Sequence, residues 1–172
     1  SGALTQLLTL TNWRDLDYLI VDMPPGTGDI QLTLSQSSPL TGAVVVTTPQ
    51  DIALIDAKKG LKMFEKVNVP LLGIIENMSV FICPCCGEVT HIFGEGGAKR
   101  MSEQYGVPML GELPLSPAIR EAADSGRPTV AAEPESAAAK MYRAIAMKIA
   151  GSIAKLGKDY TARMPTISVK ND

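Results

Sequence analysis

Four short apolar runs, separated by segments with helical periodicity, constrain the fold of this chain more than any other feature. The runs are rich in Val, Ile and Leu and do not alternate with polar residues. This pattern is typical of strands that are buried on both faces, as in a parallel sheet covered by helices. We therefore predict an α/β protein with a predominantly parallel sheet and helices on both faces. The predicted strands are residues 17–22, 42–48, 71–77 and 107–114.

The segments between and after these runs predict helices. Asp51 is expected to cap the first, whose apolar positions Ile52, Ile55, Phe64 and Val67 recur at roughly helical spacing. Glycines placed to end a helix follow two of the others. The further predicted helices are residues 97–105, 117–125 and 135–156.

Composition narrows the possible partners. A chain of 172 residues is the size of one domain, and its formal net charge of −2 with 5% aromatic residues argues against nucleic acid. Apolar runs are too short to span a membrane, so we expect a cytoplasmic protein. The last helix has lysines and an arginine on its polar side and could be read as a membrane-surface anchor. Its apolar stripe lacks Trp and Phe, which favours docking against the sheet.

The run Leu16–Asp22 ends in a carboxylate, and after Met23 comes the turn-forming sequence PPGTGD. In α/β proteins that hydrolyse nucleotides, a carboxylate at the carboxyl end of a strand holds Mg²⁺ beside the phosphates. The alternative is a simple strand-to-helix turn with Asp29 as the helix cap. The chain contains neither G-x-x-x-x-G-K-[ST] nor G-x-G-x-x-G, the loops that normally cradle phosphates.

Cys83 and Cys86 form a C-x-x-C pair on a predicted loop. Two thiolates are fewer than a structural zinc or [4Fe–4S] site requires, so ligands must come from nearby or from a second copy of the chain. Cys85 and His91 could complete a Cys₃His zinc site, although consecutive cysteines rarely bind one ion and His91 is better read as structuring the loop. A redox pair is disfavoured because no helix is predicted to begin at Cys83.

Three segments in order carry a family resemblance: DYLIVDMPPGTGDIQLTLSQ, the stretch from GAVVVTTPQD through NMSVFICPCCGEVTHIFGEGGA, and LPLSPAIREAADSGRPTV. They resemble the carboxyl-terminal portion of the Mrp/ApbC family, P-loop ATPases related to MinD and the nitrogenase iron protein that carry iron–sulfur clusters. The similarity runs from about residue 1 to about residue 155. It implies an incomplete P-loop NTPase fold, with residues 1–157 the carboxyl-terminal part of the ATPase domain and 158–172 a tail.

The resemblance implies a role for several residues. Asp22 would be the Mg²⁺-associated carboxylate, and Asn77 would contact adenine. The pair Cys83 and Cys86 from each of two subunits would hold one [4Fe–4S] cluster across a homodimer interface. The glycine-rich switch that senses the γ-phosphate would be Gly26, Thr27 and Gly28, and the segment lining the base on its other side would run from Pro114 to Arg120.

These observations predict a homodimeric iron–sulfur cluster carrier that transfers a [4Fe–4S] cluster to apoproteins under the control of ATP and Mg²⁺. In the family the phosphate loop lies upstream of the matched portion, so we expect no ATP hydrolysis from these 172 residues alone. Two alternatives remain open, a zinc-stabilised binding module and a MinD- or ParA-like spatial organiser acting on membrane or DNA. The C-x-x-C pair does not fit the organiser, and the charge balance argues against DNA.

Overall fold

The computed structural model describes residues 6–7, 10–23 and 40–156, and its centre is a three-stranded parallel sheet. The strands are β1 (Ala43–Thr47), β2 (Leu71–Glu76) and β5 (Met109–Glu112), in the spatial order β1–β2–β5. β2 is therefore the central strand, and five of its six residues are buried. The predicted parallel α/β architecture is confirmed for this part of the chain.

Helices cover both faces of the sheet, as predicted. They are α1 (Asp51–Lys66), α2 (Gly97–Tyr105), α3 (Pro117–Asp124), α4 (Thr129–Ala132) and α5 (Ala137–Lys155). Successive strand residues point to opposite faces, so Ile74 and Ile75 of β2 belong to different apolar clusters. Ile74 packs with Leu61 of α1 and Met101 of α2. Ile75 packs with Ile145 of α5 on the other face.

One predicted strand does not form. Residues 17–22 have irregular backbone, and Ile20 in the middle of the apolar run is 81% exposed. A strand exists only when a neighbour completes its ladder, and no described strand pairs with this segment. An apolar run rich in Leu, Ile and Val is therefore not sufficient to place a strand at Asp22.

The apolar face of α1 also differs from the predicted one. The helix begins at Asp51 rather than after it, and Gln50 in the N-cap position makes no side-chain capping hydrogen bond. Ile52 and Ile55 are exposed, whereas the buried positions are Leu54, Ala57, Leu61 and Phe64. The helical period was correct, but the face that meets the sheet is rotated by about half a turn from the first two isoleucines.

Two elements were not predicted. A small antiparallel hairpin, β3 (Phe81–Ile82) and β4 (Val89–Thr90), follows β2 and carries the cysteines at its tip. The short helix α4 lies between α3 and α5. Elements of two to four residues have too few positions for a hydrophobic period to be recognised. Among the described residues, no helix combines the length and the apolar content that crossing a bilayer requires.

Candidate functional site: a cysteine hairpin beside the strand ends

The cysteines lie on the tight turn that joins β3 to β4. The backbone N–H of Cys83 donates to the carbonyl of Glu88 at 2.9 Å, and the N–H of Gly87 donates back to the carbonyl of Cys83 at 2.9 Å. Gly87 has a φ of 75°, a left-handed conformation in which a side chain would be strained. The sequence C-P-C-C-G-E therefore folds as a closed turn, with Pro84 limiting the approach and Gly87 allowing the return.

The turn directs hydrogen-bond donors at the first thiol. The backbone N–H of Cys86, and then that of Cys85, donate to the Cys83 sulfur and hold the pKa of this thiol below its ordinary value, and the side-chain thiols of Cys86 and Cys85 add to the effect. Partial desolvation opposes the shift. Donors aimed at a sulfur stabilise the thiolate, which is the form that binds metal. Cys83 is half-buried, and Cys85 and Cys86 are exposed.

The described residues offer no closed metal site. Nowhere in ranges 6–7, 10–23 and 40–156 do three or more His, Cys, Asp or Glu side chains converge closely enough to hold a metal ion. The Cys₃His zinc site that the sequence left open is therefore not assembled in the described part of the chain. All three cysteines are free thiols.

His91 contacts the backbone instead. Its Nδ1–H donates to the carbonyl oxygen of Ser79 at 3.1 Å, and its Nε2 lies 3.9 Å from a carboxylate oxygen of Glu95. Ser79 is 3% exposed, and both its backbone N–H and its hydroxyl donate to the carbonyl of Leu113, at 3.0 and 3.1 Å. His91 thus structures the loop, as the sequence favoured.

Asn77 follows the carboxyl end of β2, as predicted. Its backbone N–H donates to the carbonyl of Thr47 at 2.7 Å, and its side-chain oxygen accepts the N–H of Met78 at 3.0 Å. Met78 has a φ of 56°, so Asn77 stabilises a tight turn. With the oxygen engaged, the side-chain amide can offer its N–H groups to a ligand.

The other predicted base-lining segment lies beside this turn. Pro114 is half-buried two residues after the end of β5, and Leu115 forms a bridge with Phe81 at the start of the cysteine hairpin. Arg120 lies on α3 with its side chain 65% exposed and its guanidinium paired with Asp124 and Glu121. Pro114 and Asn77 therefore share the carboxyl edge of the sheet, while the Arg120 guanidinium is already paired.

The structure does not bring Asp22 to this edge. Asp22 is exposed, and the side chain of the next residue, Met23, packs against Ala43, Phe64 and Val69. Ala43 begins β1 and Val69 precedes β2, so this cluster lies at the amino ends of the strands, opposite Asn77. The predicted switch residues Gly26, Thr27 and Gly28 lie outside the described residues, as does the predicted tail 158–172.

Sequence reasoning missed Glu76. Its side chain is 2% exposed at the end of β2, and one carboxylate oxygen accepts the backbone N–H of Ala98 at 2.6 Å in the first turn of α2. A carboxylate satisfies the otherwise unpaired N–H groups at a helix start and complements its dipole. One feature of the sequence could have indicated its role. Glu76 is a single acidic residue at the end of the apolar run LLGIIE, where a buried strand would normally have an apolar side chain.

Two cavities among the described residues lie away from the cysteine hairpin. One of about 330 Å³ lies between α1 and α2, and one of about 180 Å³ lies among α3, α4 and α5. Neither is lined by Asn77, Pro114 or the cysteines. The candidate site residues lie instead at the strand ends and on the hairpin.

The fold has relatives among solved structures. A nucleotide-binding protein from Archaeoglobus fulgidus, solved in complex with ADP, is 39% identical with a TM-score of 0.68, covering 78% of this chain and 54% of that one. The septum site-determining protein MinD of Pyrococcus horikoshii, solved with Mg-ADP, shares the fold alone at 24% identity and a TM-score of 0.51, covering 69% of this chain and 44% of that one. The fold is that of a P-loop NTPase of the MinD type.

The family follows from the sequence comparisons. Residues 1–150 match the ParA family, described as the NUBPL iron-transfer P-loop NTPase, and the chain belongs to this family. The iron-sulfur cluster carrier protein of Escherichia coli K12 is 60% identical over 153 residues, 89% of this chain and 42% of that protein. The iron-sulfur cluster transfer protein NUBPL of Mus musculus is 54% identical over 148 residues, 86% of this chain and 46% of that protein. The chain thus spans about half the length of these curated relatives.

Proposed function

We propose that this chain is part of an iron–sulfur cluster carrier that holds a [4Fe–4S] cluster between Cys83 and Cys86 of two copies. The observation that carries the proposal is the hairpin turn, whose backbone hydrogen bonds place Cys83 and Cys86 on one closed turn, with Cys83 half-buried and Cys86 exposed. Membership of an iron-transfer family supports the same chemistry. The cluster is the cargo of the protein, to be passed to apo iron–sulfur proteins.

The homodimer follows from the number of ligands. A [4Fe–4S] cluster is held by four thiolates, and the described part of this chain brings no third His, Cys, Asp or Glu ligand to the pair. A two-fold axis through the cluster supplies the other two cysteines from an identical hairpin. Because the cysteines lie at the tip of the hairpin, outside the apolar clusters of the core, we expect two copies to meet at this tip.

ATP and Mg²⁺ belong to the whole protein in this proposal. Asn77 would offer its side-chain N–H groups to the adenine and Pro114 would line the base, since both follow strand ends at one edge. Arg120 would have to exchange its present carboxylate partners to join them. The Mg²⁺ role of Asp22, with Gly26, Thr27 and Gly28 as the switch, requires residues 17–22 to join the sheet. Bound nucleotide would then supply the energy and timing of cluster release, in the cytoplasm.

Anaerobic reconstitution with Fe²⁺ and sulfide tests the cluster. We expect about two irons and two sulfides per chain, half of one cluster, together with a dimer in native mass spectrometry. Cys83→Ala and Cys86→Ala should each abolish loading, whereas Cys85→Ala is the matched control and should load normally. Equal loading in all three variants would overturn the proposal.

Metal analysis of aerobically purified protein separates the main alternative. One tightly bound Zn²⁺ per monomeric chain, with no cluster formed on reconstitution, would favour a zinc-stabilised binding module. Binding of the chain to anionic lipid vesicles without any dependence on Cys83 and Cys86 would favour the spatial organiser.

A further inference from the structure

The cysteine hairpin is held to the sheet in two different ways at its two ends. On the entry side, the backbone N–H of Leu115 donates to the carbonyl of Val80 at 2.8 Å, and Phe81 bridges to Leu115. The entry strand thereby continues the parallel sheet. On the exit side, a side chain makes the link, since His91 donates to the Ser79 carbonyl at 3.1 Å.

Ser79 is a fixed anchor for that link. It is 3% exposed, and its N–H and hydroxyl both donate to the carbonyl of Leu113, which follows β5. Leu113 in turn donates its own N–H to the carbonyl of Glu76 at 2.8 Å. His91 is therefore connected through Ser79 and Leu113 to Glu76, the buried last residue of β2.

The hairpin needs such a link because it is small. Each of its strands has two residues, and a two-stranded hairpin of this size is marginal in water. Its outward pair, Ile82 and Val89, is 51% and 57% exposed and so gains little from burial. Without a bond at the exit, the turn that carries the thiols could swing about the entry strand.

We infer that His91 is a positioning residue, which holds the exit strand of the hairpin on Ser79 and thereby fixes the direction of Cys83 and Cys86. It acts through Nδ1 alone. The Nε2 atom faces Glu95 at 3.9 Å and makes no contact that the role requires. Groups that orient metal ligands from outside the coordination sphere typically change metal affinity by 10- to 100-fold.

Because the inference assigns the hydrogen bond to Nδ1 of His91, substitutions that keep or remove an N–H at that position can test it. An asparagine amide places an N–H close to the position of Nδ1, whereas a glutamine amide reaches the position of Nε2. We therefore expect His91→Asn to preserve the bond to Ser79, and His91→Ala and His91→Gln to lose it. Glu95→Gln changes only the Nε2 side and is the matched control.

The first readout uses no metal. Hydrogen exchange at the amides of Cys83 and Gly87 reports opening of the turn, because both are bonded within it. In the 172-residue chain we expect exchange about fivefold faster in His91→Ala and His91→Gln, and unchanged in His91→Asn and Glu95→Gln. Equal exchange in all variants would overturn the inference, whether or not the chain binds a cluster.

The second readout rests on the proposed function. After reconstitution with Fe²⁺ and sulfide, a ferrous chelator should remove iron about tenfold faster from His91→Ala and His91→Gln than from the unaltered chain and His91→Asn. If His91→Asn restores slow amide exchange but loses iron as fast as His91→Ala, the bond to Ser79 does not control the cluster and the positioning role is wrong. If the unaltered chain takes up no cluster, the proposed function fails, and the amide exchange decides the role of His91 alone.

Discussion

The carboxylate of Glu76 accepts the backbone N–H of Ala98 at 2.6 Å, joining the central strand to the first turn of α2. Both residues are buried, so the N–H has no access to water if the carboxylate is removed. We expect Glu76→Ala to lower the free energy of unfolding by about 1 to 3 kcal/mol through this unpaired donor, before any loss of packing. Glu76→Gln retains an accepting oxygen and should lose less. Urea unfolding measures both, and equal losses would show that the hydrogen bond contributes little.

A glycine in the central strand allows the close approach of β5. A Cβ added at Gly73 would lie 2.4 Å from Cγ of Leu110 and 2.7 Å from the carbonyl oxygen of Pro108. Overpacking a buried strand typically costs about 1 to 3 kcal/mol, so we expect Gly73→Ala to lower the free energy of unfolding by about that amount or more. Gly60 in α1 is the matched control, because a Cβ there meets nothing within 4 Å.

In the control, Gly60→Ala should stabilise the chain by about 0.5 to 1 kcal/mol, the usual gain from replacing glycine within a helix. The two alanine variants should therefore shift the thermal midpoint in opposite directions. A destabilised Gly60→Ala, or an unaffected Gly73→Ala, would contradict the packing described around α1 and β5.

The reactivity of the Cys83 thiol should depend on pH differently from that of an ordinary thiol. Backbone N–H groups of Cys86 and Cys85 hold the pKa of Cys83 below its ordinary value, so its thiolate fraction persists to lower pH. As the pH falls from 9 towards 7, alkylation of Cys83 by iodoacetamide should slow less than alkylation of a free cysteine peptide, as measured by site-resolved mass spectrometry. The pKa of Cys83 is lowered in the folded state and ordinary in the unfolded state. The Cys83 thiolate therefore stabilises the folded state at a pH above the ordinary pKa, and this stabilisation is lost as the pH falls through the lowered pKa. A decline at Cys83 as steep as that of the free peptide would contradict the turn geometry.

Lys148 joins α5 to the edge of the sheet. Its Nζ donates to the carbonyl of Leu110 in β5 at 2.6 Å. Lys148→Met keeps most of the side-chain length without the donor, so we expect a loss of about 1 kcal/mol in the free energy of unfolding. Lys155→Met, in the last turn of the same helix, is the control and should change it by less than about 0.5 kcal/mol. Similar values for the two variants would mean that the bond to Leu110 does not stabilise the chain.

The sheet and the long helices were predictable because their apolar patterns extend over many residues. The apolar runs at 42–48, 71–77 and 107–114 each contain an observed strand, and the helices expected at 97–105 and 135–156 lie within one or two residues of their observed bounds. The run at 17–22 looked equally strong. It forms no strand because an apolar run also needs a paired neighbouring strand, and none of the described strands pairs with it, which leaves Ile20 81% exposed.

The site was only partly predictable, for a similar reason. C-x-x-C spacing is a local signal, and Cys83 and Cys86 do share one turn. The support around them is non-local: Ser79 meets Leu113 and Glu76 meets Ala98, contacts that span 34 and 22 residues. Such pairs arise when the parallel strands come together, so no spacing rule within one segment reveals them.

None of the residues from Cys83 to Glu88 belongs to the three apolar clusters that form the described core. The turn that carries the cysteines therefore lies outside the packed core. Substitutions within this turn should change its chemistry while the parallel sheet beneath it keeps its packing.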